Sequence, residues 1–302
     1  MKFGNIYIHL GPPRTASSLL QENFFPNIEK INFIGKKDPR KEDYLSNLIK
    51  EYFFDEKKNE SKIIEFFNKL DKNQILLFSD DNILLPFYSD KKNEILFQDV
   101  TQNILILENL LYRVGYKTHY FVIKRDPITA LKSFYFKFTY YLTNYDFSLN
   151  NINNLIYKKN DPNIKKILNI YDYSKLEEFF NKKMNKKIEM FQYENLLNNK
   201  KKFVNDIENF FKINIENKDF LIKKLEERNN ESQKVDSGYL YKTSFIKKIK
   251  LFYLINKIIP ITFKKAISKI LSIFSINIFS HKTEDKVTDK LIFDYYYKRK
   301  KN

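Results

Sequence analysis

The chain has 302 residues, 43% of them apolar, enough for one large α/β domain with appendages or for two small domains. It has no cysteine, which excludes disulfides, thiolate metal sites and a cysteine nucleophile; its three histidines, His9, His119 and His281, argue against a histidine-based metal cluster. A formal net charge of +17 favours anionic partners: nucleotides, acidic glycans, phospholipid surfaces or nucleic acid.

Ile6, Ile8 and Leu10 lie among apolar and aromatic neighbours, the pattern of a buried parallel strand. Gly11, Pro12 and Pro13 stop that strand sharply, and a helix opens at Ser17 and Ser18 and continues through Leu19, Leu20 and Phe24. The start of a helix offers unpaired backbone N–H groups and a positive dipole end to an anion. Arg14 adds a permanent charge there, and Thr15, Ser17 and Ser18 add hydroxyls. The alternative is an ordinary strand-turn-helix with a capping serine. The loop departs from the nucleoside-triphosphate motif G-x-x-x-x-G-K-[ST]: counted from Gly11, Ala16 stands at the second glycine and Ser17 at the lysine. The basic residue comes three places earlier, as Arg14, which suits a ligand whose reactive centre is on its first phosphate.

Further along, residues 31–35 read as a short strand, 41–54 and 60–70 as helices, and 74–79 as a buried strand ending in Asp80 and Asp81. A helix is expected over 97–114 and a strand over 118–124. That strand runs into Arg125-Asp126-Pro127 and a helix to about 141. Asn-rich 148–163 reads as a loop or insertion, 174–184 as a helix, 187–191 as a strand and 200–212 as a helix. Alternating strands and helices predict a parallel sheet with helices on both faces. Ligands of such sheets bind beyond the carboxyl ends of the strands, where segments 11–18, 79–82 and 124–127 all fall. Arg125 at a strand end and Ser133 two turns into the next helix can together grip a second phosphate; an Arg–Asp structural pair is the alternative.

Taken together, these segments resemble the sulfotransferases that use 3′-phosphoadenosine-5′-phosphosulfate (PAPS), most closely the bacterial and carbohydrate-directed branch. The family's 5′-phosphosulfate loop, P-[KR]-[ST]-[GA]-[ST]-[ST]-x-L, is matched by Pro13, Arg14, Thr15, Ala16, Ser17, Ser18 and Leu20. Its 3′-phosphate motif, R-[DN]-P with a serine eight residues after the arginine, is matched by Arg125, Asp126, Pro127 and Ser133. Tyr193-Glu194 with Leu196 is similar to the family's Y-E-x-L strand end, and Arg228, Asn230 and Ser232 to an R-x-N-x-S stretch near the nucleotide. The resemblance covers residues 3 to about 235. Ala16 replaces a common glycine, Arg14 stands where small-molecule members have lysine, and the absence of tryptophan leaves adenine stacking to Phe or Tyr.

The resemblance implies a P-loop-type α/β domain over 1–236, PAPS as sulfuryl donor, no metal, and in-line transfer to an acceptor hydroxyl. Arg14 would stabilise charge on the leaving 5′-phosphate, with Pro13, Thr15, Ala16, Ser17 and Ser18 holding it and Arg125, Ser133, Asn230 and Ser232 around the 3′ end. Ser79-Asp80-Asp81-Asn82 resembles the family's S-x-E-N stretch, which makes Asp81 the candidate base, with Asp80 and His9 as rivals. The other readings are a metal-dependent P-loop kinase or hydrolase, using an aspartate after the 74–79 strand, and a basic nucleic-acid-binding protein.

Residues 237–302 read as a basic amphipathic helical extension. Nine lysines and no acidic residue lie between Asp236 and Glu284, and Pro260 divides 244–280 into two helical patterns. Its longest uncharged run, Ile270 to Ser280, is 11 residues, short of the about 20 that cross a bilayer. A basic amphipathic pair suits an anionic membrane surface, hence a glycan or lipid-linked glycan acceptor. With no apolar signal region at the start, a cytoplasmic chain, peripheral on the inner face of the membrane, is expected.

Overall fold

Ile6, Ile8 and Leu10 face one side of strand β1 (Gly4–Leu10), Tyr7 and His9 face the other, and all five are buried. A strand buried on both faces belongs in the middle of a parallel sheet. The computed structural model, which describes residues 3–35, 44–89, 95–226 and 286–298, has it there. The other strands are β2 (Ile31–Gly35), β3 (Ile75–Asp80), β4 (Phe87–Ser89), β5 (Ile95–Phe97), β6 (Tyr116–Lys124) and β7 (Ile188–Gln192). Five form one wholly parallel sheet in the order β2-β3-β1-β6-β7. The register pairs Leu10 with Asp80 on one side and with Val122 on the other, so β1, β3 and β6 deliver their following loops to one edge.

Helices cover both faces, as the alternating pattern predicts. After β1 come α1 (Ser17–Leu19) and a wider π turn, Leu20–Phe24. Then follow α2 (Tyr44–Phe54), α3 (Glu60–Asn68), α4 (Val100–Arg113) and α5 (Pro127–Tyr145). They are followed by α6 (Asn153–Tyr157), α7 (Pro162–Asn169), α8 (Tyr173–Phe179), α9 (Tyr193–Asn198), α10 (Lys200–Phe211), α11 (Lys218–Glu226) and α12 (Lys286–Tyr297). Ile6, Ile8, Phe78 and Val122 pack with the apolar stripes of α2 to α5. Tyr7, Leu77, Phe121 and Ile123 pack on the opposite face with Leu20, Phe24 and Phe25 and with α10 and α11.

Three local expectations need correction. The Asn-rich stretch 148–163 contains helix α6, because Leu155 and Ile156 are buried in the larger core. At its end, Asp161 caps α7, accepting from the N–H groups of Asn163 and Ile164, with Pro162 at the first helical position. The first residue of the 97–114 pattern, Phe97, belongs to β5, whose antiparallel pairing with β4 sets it opposite Phe87, and the helix starts at Val100. The helix after β1 widens into the π turn instead of running on regularly.

Helix α12, within the tail reckoned with the basic extension, packs along α5 and α6. Thr288 donates to Asn153 at 2.8 Å, Tyr296 donates to the Leu168 carbonyl at 2.8 Å, and Asp289 pairs with Lys132. Asn230, Ser232 and the 244–280 segment lie outside the described residues. Among the described residues no helix is long and apolar enough to cross a membrane.

Candidate active site

The loop after β1 is locked from inside. The Thr15 hydroxyl and N–H both donate to the Pro12 carbonyl, at 2.8 and 3.3 Å, and Thr15 is fully buried. Tyr171, also fully buried, donates its hydroxyl to the Pro13 carbonyl at 2.6 Å. Within this clamp Arg14 and Ala16 adopt left-handed conformations, with φ of 71° and 67°. Residues with a Cβ are unfavourable there by roughly 1–2 kcal/mol each, and such strain concentrates at functional sites. Ala16 precedes the helix with no side-chain cap, so the capping-serine alternative fails: the Ser17 side chain is buried and its Oγ has no hydrogen-bond partner. Ser18 is exposed.

Gly11 explains why this loop and the end of β3 can lie so close. A Cβ at Gly11 would stand 2.8 Å from Asp81 Oδ1 and 2.8 Å from Ser17 Oγ. A side chain there would push aside the Asp81 carboxylate and the Ser17 hydroxyl, which both face the loop that carries Arg14.

The second motif meets the first directly. Arg14 Nε donates to Ser133 Oγ at 2.9 Å, and Arg125 Nη1 donates to the Arg14 carbonyl at 2.8 Å. The Arg125 guanidinium lies over the Tyr193 ring, 4.8 Å from its centroid, and the Arg125 N–H donates to the Tyr173 hydroxyl at 3.2 Å. Asp126 caps α5, accepting from the Thr129 N–H at 2.9 Å; the Tyr297 hydroxyl donates to its other oxygen at 3.4 Å. Among the described residues no carboxylate forms an ion pair with Arg14 or Arg125. Desolvation first, and the charge of Arg125 second, hold the Arg14 guanidinium below its ordinary value. Two cations pressed together by neutral partners make a site for a multiply charged anion.

Of the sequence candidates, Pro13 to Ser18, Asp81, Arg125 and Ser133 thus converge at the carboxyl edge of the sheet. His9 does not face this site. It is fully buried beneath the helical segment that follows the loop, packed between Phe25 and Phe121 with ring centroids 5.1 Å away in each case. Burial lowers its pKa to about 3, far too low for a base at neutral pH. Asp80 is buried at the end of β3, one residue before the half-buried Asp81. Sequence reading left Tyr171 and Tyr173 without a role, and it gave Tyr193 only a place in a motif. In a chain with 21 tyrosines none stands out, although Tyr193 directly follows a strand end. Among the described residues no group of three or more His, Asp or Glu could hold a metal ion.

No protein-family model matches the chain, and no curated protein matches it. The solved structures similar to it at low identity include two sulfotransferases. One is a sulfotransferase from Alicyclobacillus acidocaldarius, at 10% identity and a TM-score of 0.41, covering 71% of this chain and 83% of that one. The other is the sulfotransferase domain of the Synechococcus PCC 7002 olefin synthase, at 13% identity and a TM-score of 0.39, covering 81% and 88%.

His9 gives a pH test of the buried network. Its folded pKa is depressed, so the unfolded chain binds the extra proton first as pH falls. Stability should fall below about pH 6.5, by up to about 1.4 kcal/mol per pH unit, and level off near pH 3. Urea denaturation of His9→Gln should show a correspondingly shallower slope between pH 6.5 and 4 than the wild type.

Proposed function

We propose that the chain is a sulfotransferase that moves the sulfuryl group of PAPS to a hydroxyl of a glycan or glycolipid. The observation that carries the reading is the contact of two motifs distant in sequence: Arg14 on Ser133 and Arg125 on the Arg14 carbonyl, with no carboxylate among the described residues paired to either cation. A site that needed one phosphate would be served by the first loop alone. A second arginine and a serine on another strand–helix junction suit a nucleotide phosphorylated at both its 5′ and 3′ ends.

In the proposed reaction the acceptor oxygen forms a new bond to sulfur as the bond from sulfur to the 5′-phosphate oxygen breaks. Adenosine 3′,5′-bisphosphate leaves with the electron pair, and the acceptor's proton passes to Asp81. Arg14 meets the charge that grows on the leaving oxygen. The unpartnered Ser17 Oγ and the exposed Ser18 hydroxyl hold the 5′-phosphate; Arg125 and Ser133 hold the 3′-phosphate. Asn230 and Ser232 are assigned to the same end by sequence alone. Tyr193 keeps the Arg125 plane fixed, so little rotamer freedom is lost on binding. Asp81, beside Gly11 and Ser17, is the base in preference to buried Asp80. The glycan preference rests on Arg14, the Asp81 segment and the basic tail. Membrane-surface association at 244–280 and a cytoplasmic site of action likewise rest on sequence.

Adenosine 3′,5′-bisphosphate should raise the melting temperature more than ATP with magnesium; a preference for ATP–magnesium would instead favour a metal-dependent kinase or hydrolase. Asp81→Asn should lower kcat by roughly a hundredfold or more, the scale of general-base catalysis, and leave PAPS affinity within about threefold. Equal losses in both would count against a base. Deleting 244–280 should abolish flotation with phosphatidylserine vesicles, and unchanged flotation would remove the membrane assignment.

A further inference from the structure

We infer that the buried tyrosines Tyr171 and Tyr173 form a spacer that fixes the distance between the two phosphate grips, and so selects a nucleotide phosphorylated at both ends. This rests on the reading of the two motifs as 5′- and 3′-phosphate sites. The pair lies on one short connection, from the end of α7 to the start of α8, and is 0% and 4% exposed. The Tyr171 hydroxyl donates to the Pro13 carbonyl at 2.6 Å, and the Tyr173 hydroxyl accepts from the Arg125 N–H at 3.2 Å. The first contact is to the peptide unit joining Pro13 to Arg14, the second to the unit joining Lys124 to Arg125. Each hydroxyl therefore fixes the peptide plane that leads into one of the two arginines.

The rings extend the same bridge. Tyr171 meets Phe134 edge-on with centroids 6.2 Å apart, and Phe134 directly follows Ser133. Lys124 Nζ lies 5.9 Å from the centroid of the Tyr173 ring. The connection is itself stiff. The Asp172 N–H donates to the Asn169 carbonyl at 3.1 Å, and the Asp172 side chain caps α8, accepting from the Lys175 N–H at 3.3 Å. The bond from Tyr296 of α12 to the Leu168 carbonyl holds the last turn of α7. Two grips on one ligand add their strengths only when they are held at the ligand's own spacing.

Phenols suit this task beside two cations. Burial raises the pKa of both, so both stay neutral hydroxyls and Tyr171 keeps the hydrogen it donates. A carboxylate could accept from the Arg125 N–H equally well, but its charge would compete with an anionic ligand for the guanidinium. Tyr193 orients the Arg125 side chain, and Tyr173 places its backbone. Both spacer tyrosines are positioning residues.

The test is calorimetric titration of adenosine 3′,5′-bisphosphate and adenosine 5′-monophosphate into the full-length wild type, Tyr171→Phe, Tyr173→Phe and the double variant, each shown to be folded by its thermal transition. Tyr173→Phe should weaken the bisphosphate roughly three- to tenfold and leave the monophosphate within about twofold. Tyr171→Phe should weaken both nucleotides, since each carries the 5′-phosphate. The double variant should weaken the bisphosphate by less than the product of the two single effects, because either loss already frees the spacing. Tyr296→Phe releases the Leu168 carbonyl without touching either motif. It should lower the ratio of bisphosphate to monophosphate affinity at least about twofold, which keeps the test open if Tyr173→Phe fails to fold. A wild type that prefers the bisphosphate, with the same ratio in the folded Tyr173→Phe or Tyr296→Phe variants, overturns the spacer alone, as does a full product in the double variant. Equal affinity of the wild type for both nucleotides overturns the two-ended reading and the selection with it.

Discussion

The site depends on bringing two arginines together without a carboxylate between them. Guanidinium groups repel, and among the described residues no carboxylate pairs with Arg14 or Arg125. What holds them is neutral: Ser133 under Arg14, the Arg14 carbonyl and the Tyr193 ring against Arg125. The cost is met by the rest of the fold, through Thr15 and Tyr171 clamping the loop and through the buried sheet that fixes where β1 and β6 end. Such a site is preorganised for an anion, which gains charge-assisted hydrogen bonds with little reorganisation.

The same economy runs through the loop itself. Left-handed Arg14 and Ala16 store strain, and a glycine at position 11 leaves room for the Asp81 carboxylate and the Ser17 hydroxyl beside it. The Thr15 hydroxyl serves the loop's shape, since it is occupied by the Pro12 carbonyl. Thr15, Ser17 and Ser18 thus divide their work by direction: one inward to the turn, one buried without a partner, one exposed.

Much of this was legible before any coordinates. β1, β3 and β6 read as apolar runs because parallel strands covered on both faces must be apolar, and Pro127 marked the start of α5, where its missing N–H costs nothing. The convergence of 11–18, 79–82 and 124–127 followed from strand ends alone. The misses have physical causes. Asparagine dominates 148–163 and masks Leu155 and Ile156, so α6 is held by tertiary burial that local composition does not report. β4 and β5 are three residues each, too short for a period. His9 stood as a rival base because its place two residues before the loop does not report that its ring is buried between Phe25 and Phe121.

The claim that one nucleotide is gripped at both phosphates has a direct calorimetric test. Adenosine 3′,5′-bisphosphate and adenosine 5′-monophosphate are titrated into the wild type and into Arg125→Gln. A charge-assisted hydrogen bond contributes about 1.5–3 kcal/mol, so losing the 3′-phosphate should weaken wild-type binding roughly ten- to a hundredfold. In Arg125→Gln the two nucleotides should bind within about threefold of each other, because the partner of the 3′-phosphate is gone. Equal affinity of both nucleotides for the wild type would contradict the two-ended grip.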